Sequence, residues 1–229
     1  MPPAVASSAS AEKPAPFDAK AGFRLLLAAF RGDPNGAEAA LAAHADPDHT
    51  QPDDDYTPLL AAASRGHLEI ARALCSSGAD RDKAENCGRT ALLLAAGHGH
   101  AGVVQLLCEV GADVGKAKPD GRTPLFAAAA RGDAECVAVL CGARADLDRA
   151  IDDGATPLLA AAANGHAETV RVLCEAGANA EWARRDGVTP LLAAESHGHK
   201  DVVQVLCDAA SLERDGRRSC TLSLDHCAN

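Results

Sequence analysis

The chain has 229 residues, long enough to bury a core, and 47% of them are apolar, drawn mainly from Ala, Leu and Val with one Trp, one Tyr and four Phe. Small aliphatic residues suit closely packed helices, because Ala and Leu are strong helix formers. The formal net charge of −10 is the wrong sign for a general phosphate binder and disfavours nucleic acid as the main ligand.

Residues 1–20 form an Ala/Ser/Pro-rich N-terminus, predicted to be disordered. Met1 to Pro16 lacks a basic stretch followed by an apolar one, so no secretory signal is read there. No stretch reaches the roughly 18 uninterrupted apolar residues of a membrane helix. Cys227 stands third from the end rather than fourth, off the prenylation spacing. The expectation is a soluble protein of the cytoplasm, or else the nucleus, that is not secreted and spans no membrane.

Residues 21–52 carry a first pair of helical patterns, Phe23 to Ala29 before Gly32-Asp33, then Ala37 to Ala43 before Ala45-Asp46. From residue 53 to 210 a stricter pattern repeats. Thr57, Thr90, Thr123, Thr156 and Thr189 stand 33 residues apart, and Pro follows at 58, 124, 157 and 190, with Ala91 the exception. Gly66, Gly99, Gly132, Gly165 and Gly198 come nine residues after each Thr. His follows at 67, 100, 166 and 199, and Asp133 replaces it once.

Each unit is predicted to be two helices. Thr has the chemistry of an N-cap, since its hydroxyl can accept a bond from a free backbone N–H. Pro fits the first helical position, where no N–H partner is needed. The Gly lets the first helix exit. The second helix is amphipathic: Val104, Leu107, Cys108 and Gly111 fall on one face. Asp120-Gly121, Asp153-Gly154 and Asp186-Gly187 signal tight turns between units. Residues 211–229 hold no full unit and are predicted to form a short cap helix or a tail.

The frame Asp-Gly-x-Thr-Pro-Leu, then Ala-Ala, Gly-His and Gly-Ala-Asp/Asn at this period resembles the ankyrin repeat. The resemblance implies an all-α solenoid of stacked helix–turn–helix units linked by short hairpin-like loops, with 53–210 as five repeats and 21–52 as a degenerate capping repeat. The family usually places His after Thr-Pro-Leu. Here Leu60, Leu93, Phe126, Leu159 and Leu192 stand instead, so apolar packing is expected to replace the inter-repeat hydrogen bonds credited to that His. Arg144 takes a position where Gly belongs, and Glu195 takes that of an inward Ala.

The cysteines suggest no chemistry. Cys75, Cys108, Cys141, Cys174 and Cys207 recur one per unit, while packed helices lie about 8–10 Å apart and disulfides need Cα atoms within about 7 Å. On an apolar helix face Cys behaves as a small hydrophobe. Cys87, Cys220 and Cys227 fall in loops or the tail and are better candidates for oxidation or acylation. His98-Gly99-His100 and His197-Gly198-His199 resemble metal clips, but the second His of each belongs to the repeat, so no metal is assigned. No nucleophile elbow, Walker loop or dinucleotide fingerprint occurs, and Asp53-Asp54-Asp55 and Asp152-Asp153 read as solvated turn acids. Neither catalysis nor a cofactor is expected.

The resemblance further implies that hairpin tips and the exposed side of the first helix contact partner proteins. At the tips stand Tyr56, Arg89, Arg122, Ala155 and Val188; before the inter-helix Gly stand Arg65, His98, Arg131, Asn164 and His197. Trp182 and Arg185 in the last linker join them, since Arg and Trp are typical interface anchors. Lys83, Lys116 and Arg149 share one linker position with Trp182. The expected function is that of a monomeric adaptor or scaffold binding an acidic or mixed-charge segment. The alternatives are a substrate-recruiting or regulatory subunit of an enzyme complex, such as a ubiquitin ligase or kinase, and an IκB-like inhibitor of a transcription factor.

Overall fold

The computed structural model describes residues 17–50 and 55–214. Twelve helices and no strand occur among them: α1 (Ala19–Arg31), α2 (Pro34–Ala42), α3 (Pro58–Arg65), α4 (Leu68–Ser76), α5 (Ala91–His98), α6 (Ala101–Glu109), α7 (Pro124–Arg131), α8 (Ala134–Gly142), α9 (Pro157–Ala163), α10 (Ala167–Ala176), α11 (Pro190–Ser196) and α12 (Lys200–Arg214). Each odd-numbered helix packs on the next odd one and each even-numbered helix on the next even one, giving an inner and an outer layer of stacked pairs.

The threonine caps form as the chemistry requires. The Thr57 hydroxyl accepts from Leu60 N–H at 3.2 Å, and Thr90, Thr123, Thr156 and Thr189 repeat the bond. The turns between units close as tight hairpin tips, with Glu85 N–H on Arg89 O and Lys118 N–H on Arg122 O. Helix α1 begins at Ala19, two residues inside the segment expected to be disordered, because the Asp18 carboxylate caps it through Lys20 N–H. Helix α12 continues through Ser211 to Arg214, past the point where Gly78-Ala79-Asp80, Gly111-Ala112-Asp113 and Gly177-Ala178-Asn179 follow α4, α6 and α10.

The core runs the length of the stack. Leu25, Leu59, Leu74, Leu107, Leu140 and Leu173 are each 1% exposed or less. The row that replaces the family's His is apolar and mostly buried: Leu60 is 0% exposed, Leu93 6%, Phe126 7% and Leu159 3%, but Leu192 is 50% exposed, with no later unit covering it among the described residues. The expectation that apolar packing alone replaces the inter-repeat hydrogen bonds is corrected by a second histidine column. His100 Nε2 meets Ser64 O at 3.2 Å, His166 Nε2 meets Ala130 O at 3.2 Å and His199 Nε2 meets Ala163 O at 3.1 Å. Each imidazole reaches back to the preceding unit and satisfies a carbonyl near the end of its inner helix.

Arg144 has φ 62° and so does adopt the left-handed conformation that favours glycine. Such a conformation strains an L-residue by roughly 1–2 kcal/mol, part of which glycine returns as entropy of the unfolded chain. Arg144→Gly is therefore expected to stabilise the protein by up to about 1 kcal/mol, read as a higher urea midpoint. An unchanged or lower midpoint would mean the Arg144 side chain contributes packing that offsets the strain.

Candidate functional site

The stack leaves one face of the inner helices and the hairpin tips facing outward, and the side chains there do not repeat. The face is lined by small residues, Ser64, Gly97, Ala130 and Ala163, none of them fully buried. Around this strip the structure sorts the candidate side chains by what already holds them.

Arg65 closes α3 and lies over the Phe30 ring of the preceding inner helix, its guanidinium carbon 5.3 Å from the ring centroid. Phe30 stacks on Tyr56 at 5.5 Å between centroids, and the Tyr56 hydroxyl bonds Ser64 Oγ at 3.0 Å. A cation, two rings and two hydroxyls thus converge at one end of the face. Arg131 is exposed at the end of α7, beside Gly99 of the preceding unit. Among the described residues no carboxylate pairs with Arg65 or Arg131.

The tip arginines differ. Arg89 Nε is ion-paired with Glu85, a carboxylate only 7% exposed. Burial pushes the Glu85 carboxyl up, but hydrogen bonds from Arg89 and from the Cys87 thiol outweigh it, so the net shift is down. On the next tip Asp120 takes both Lys118 Nζ at 3.0 Å and Arg122 Nε at 3.6 Å. Arg89 and Arg122 therefore present charge already half neutralised.

His98 and His197 each turn Nδ1 to a carbonyl of their own helix, Leu94 O and Ala193 O, both at 2.8 Å. Each ring stacks on the repeat's own His at 6.0 Å between centroids. Nδ1–H donates in this arrangement, so Nε2 is left as an outward acceptor. Asn164 Nδ2 bonds Ala130 O at 2.9 Å, which commits its amide to the stack. Trp182 is 40% exposed, and Arg185 is exposed nearby in the same linker.

The linker cations have a structural role that the sequence reading missed. Lys83 Nζ donates to Asp48 O at 3.1 Å, Lys116 Nζ to Asp82 O at 2.7 Å, and Arg149 Nη1 to Gly115 O at 3.0 Å. Beside them runs a carboxylate ladder: Asp48 accepts from Asp80 N–H, Asp82 from Asp113 N–H and Asp148 from Asn179 N–H, each at 2.9 Å. These cations fasten neighbouring units rather than waiting for a ligand. Trp182 ends the column, since an indole on that linker replaces the long cationic chain. The recurrence of Asp at 48, 82 and 148 was the available signal.

The cysteine column is part of the packing. In the column Cys174 is buried, Cys75, Cys108 and Cys141 are half-buried and Cys207 is exposed on the last helix, while Cys136, outside the column in α8, is buried. Burial pushes the Cys136 thiol up to about 12 and the Cys141 thiol up to about 11, so both stay protonated and weakly nucleophilic at neutral pH. Cys87 is exposed at a tip. Cys220, Cys227, Asp53 and Asp54 lie outside the described residues. No helix among the described residues is long and apolar enough to cross a membrane.

A search of curated proteins finds no match. A family model for ankyrin repeats, three copies to the model, matches residues 25–118, 81–151, 111–181 and 126–215. Ankyrin repeats are generic protein-interaction modules and typically lack catalysis. The matched segments coincide with the stacked helix pairs and their hairpin tips, and the chain belongs to the ankyrin repeat family.

Proposed function

We propose that the protein is a non-catalytic adaptor or scaffold that holds an acidic or mixed-charge segment of another protein against its inner-helix face. The observation that carries this reading is that Arg65 and Arg131 are exposed guanidinium groups with no carboxylate partner among the described residues, in a chain of net charge −10. They end inner helices two units apart, about 16–20 Å at the spacing of packed helices. A segment carrying carboxylates at that separation can meet both. Tyr56, His98 and His197 supply an aromatic surface and acceptors between and beside them, and Arg89, Arg122, Trp182 and Arg185 extend the contact along the tips and the last linker. Asn164 contributes shape only.

In this reading residues 21–52 close one end of the stack, 53–210 are the five repeats, the helical extension from 211 closes the other end, and the protein works as a monomer in the cytoplasm or nucleus. The test is the affinity for a partner identified by pull-down and mass spectrometry. Arg65→Glu/Arg131→Glu is expected to weaken binding by at least tenfold, about what losing one interface anchor costs. Arg89→Glu/Arg122→Glu is expected to do less, because Glu85 and Asp120 already hold those charges. Equal affinity of Arg65→Glu/Arg131→Glu and the unaltered protein would remove the face from consideration. Catalysis in a companion chain, as in a recruiting subunit, would appear as activity that needs both chains.

A further inference from the structure

The two ends of the stack depart from the repeat with opposite charges. Beyond α11 and α12 the described residues hold no further unit, and the side turned that way is open. Leu192 is 50% exposed there. Leu191 and Val203 are half-buried, where the residues at the same places in the four units before are 1% exposed or less. Gly198 is open too: a Cβ there would meet nothing within 4 Å, while at Gly99 it would stand 2.5 Å from the Asp133 carboxylate of the next unit. On this side stands Glu195, exposed, at the place of Ala63, Ala96, Ala129 and Ala162, each 0% exposed.

The other end carries a matching set. A groove between α1 and α2 opens on the side turned away from α3, and Arg24, Leu27 and Arg31 line it along α1, with Asp33, Gly36 and Ala39 at the start of α2. Three of these have counterparts that face a preceding unit. Leu27 stands at the place of Ala160, which packs with Phe126 across a junction, and Phe126 in turn stands at the place of Leu192. Arg31 stands at the place of Arg65, which reaches back over Phe30, and Ser196, next to Glu195, stands at the place of Phe30. Asp33 stands at the place of Asp133, which crosses Gly99 while capping its own helix through Cys136 N–H at 2.9 Å. Asp33 caps α2 in the same way through Gly36 N–H at 3.0 Å. Arg24 takes a place held by Pro58, Pro124, Pro157 and Pro190 elsewhere. Among the described residues Arg24, Arg31 and Glu195 have no ion-pair partner. A terminal unit needs a polar outer side for solubility, and any charge would serve that need. Here one open end is cationic and the other anionic.

We propose that the open side of α1 and α2 in one copy of this chain docks on the open side of α11 and α12 in a second copy, with Leu27 on Leu192 and Arg24 and Arg31 around Glu195. The contact is head to tail and does not close on itself, so copies add in a row, and the inner-helix face continues from one copy into the next. A contact confined to one helix pair on each side belongs with the weak interfaces of under about 1,200 Å², so the chain is a monomer when dilute. Stacking requires no partner protein.

Sedimentation velocity of the full chain, carried to about millimolar concentration where contacts this weak become populated, provides the test. The average mass is expected to rise with concentration past two copies. Arg24→Glu and Glu195→Arg, both at exposed positions, are each expected to weaken association at least tenfold, because like charges then face each other. Both substitutions in one chain are expected to bring association back. An equimolar mixture of Arg24→Glu and Leu192→Glu chains, each with one sound end, is expected to form a dimer and nothing larger. Monomer at every concentration, growth of the unaltered chain that stops at two copies, or association indifferent to these substitutions would overturn the proposal. So would association that appears only after residues 215–229 are deleted, since that segment and not a second copy would then be what covers α11 and α12.

Discussion

Leu60→Ala is expected to destabilise the protein by about 3 kcal/mol, within the 2–5 kcal/mol range of buried Leu truncations, while Leu192→Ala costs less than about 1 kcal/mol. Both leucines occupy the same place in their units, two residues after a capping Pro position, with the same threonine cap. Only their neighbours differ: Leu60 is 0% exposed and Leu192 is 50% exposed. The first substitution loses apolar burial and opens a cavity between α3 and the helices packed on it. The second removes atoms already half in water, worth about 25 cal/mol per Å² of area lost. Urea unfolding of the two variants measures the difference as a shift in midpoint. Equal losses would mean that the repeat position itself, and not burial by the next unit, determines the contribution.

Gly66→Ala is expected to cost about 2–4 kcal/mol, the sum of left-handed strain and overpacking. Gly66 has φ 74°, and a Cβ there would stand 2.6 Å from Nδ1 of His100 in the next unit. Glycine is needed at this position twice, for its backbone conformation and for the imidazole that crosses it to reach Ser64 O. A double-mutant cycle with His100→Ala separates the two. Removing the ring relieves the clash but not the strain, so in that background Gly66→Ala should cost only about 1–2 kcal/mol, leaving a coupling of a similar size. Strict additivity would show that the ring does not occupy the place given by the structure.

Much of the fold was legible because each repeated residue has a local physical reason. The Thr caps, the Pro at the first helical position and the Gly exits depend on nearby backbone alone, and a 33-residue period made them unmistakable. What depends on the next unit was harder to read. His67, His100, His166 and His199 look like turn residues in sequence, yet three of those rings have their partners 36 residues back. Lys83, Lys116 and Arg149 look like surface cations until the preceding carbonyls are seen. Within the candidate site, sequence could name Arg65, Arg89, Arg122 and Arg131 but not separate them. Glu85 is four residues before Arg89 on a tip whose shape brings them together, and Phe30 meets Arg65 only across a unit boundary. Asn164 stands where the resemblance implies a partner contact, yet its amide is used by the stack.

The account rests on units that cannot bury their apolar faces alone. Far-UV circular dichroism of a peptide covering residues 123–155, compared with the full chain, tests this most directly. The peptide has two helices of 8 and 9 residues, shorter than the roughly 12–15 residues at which isolated helices become even marginal in water, and is expected to be mostly unfolded and to melt without cooperativity. A helical spectrum that melts cooperatively in the peptide itself would contradict the account.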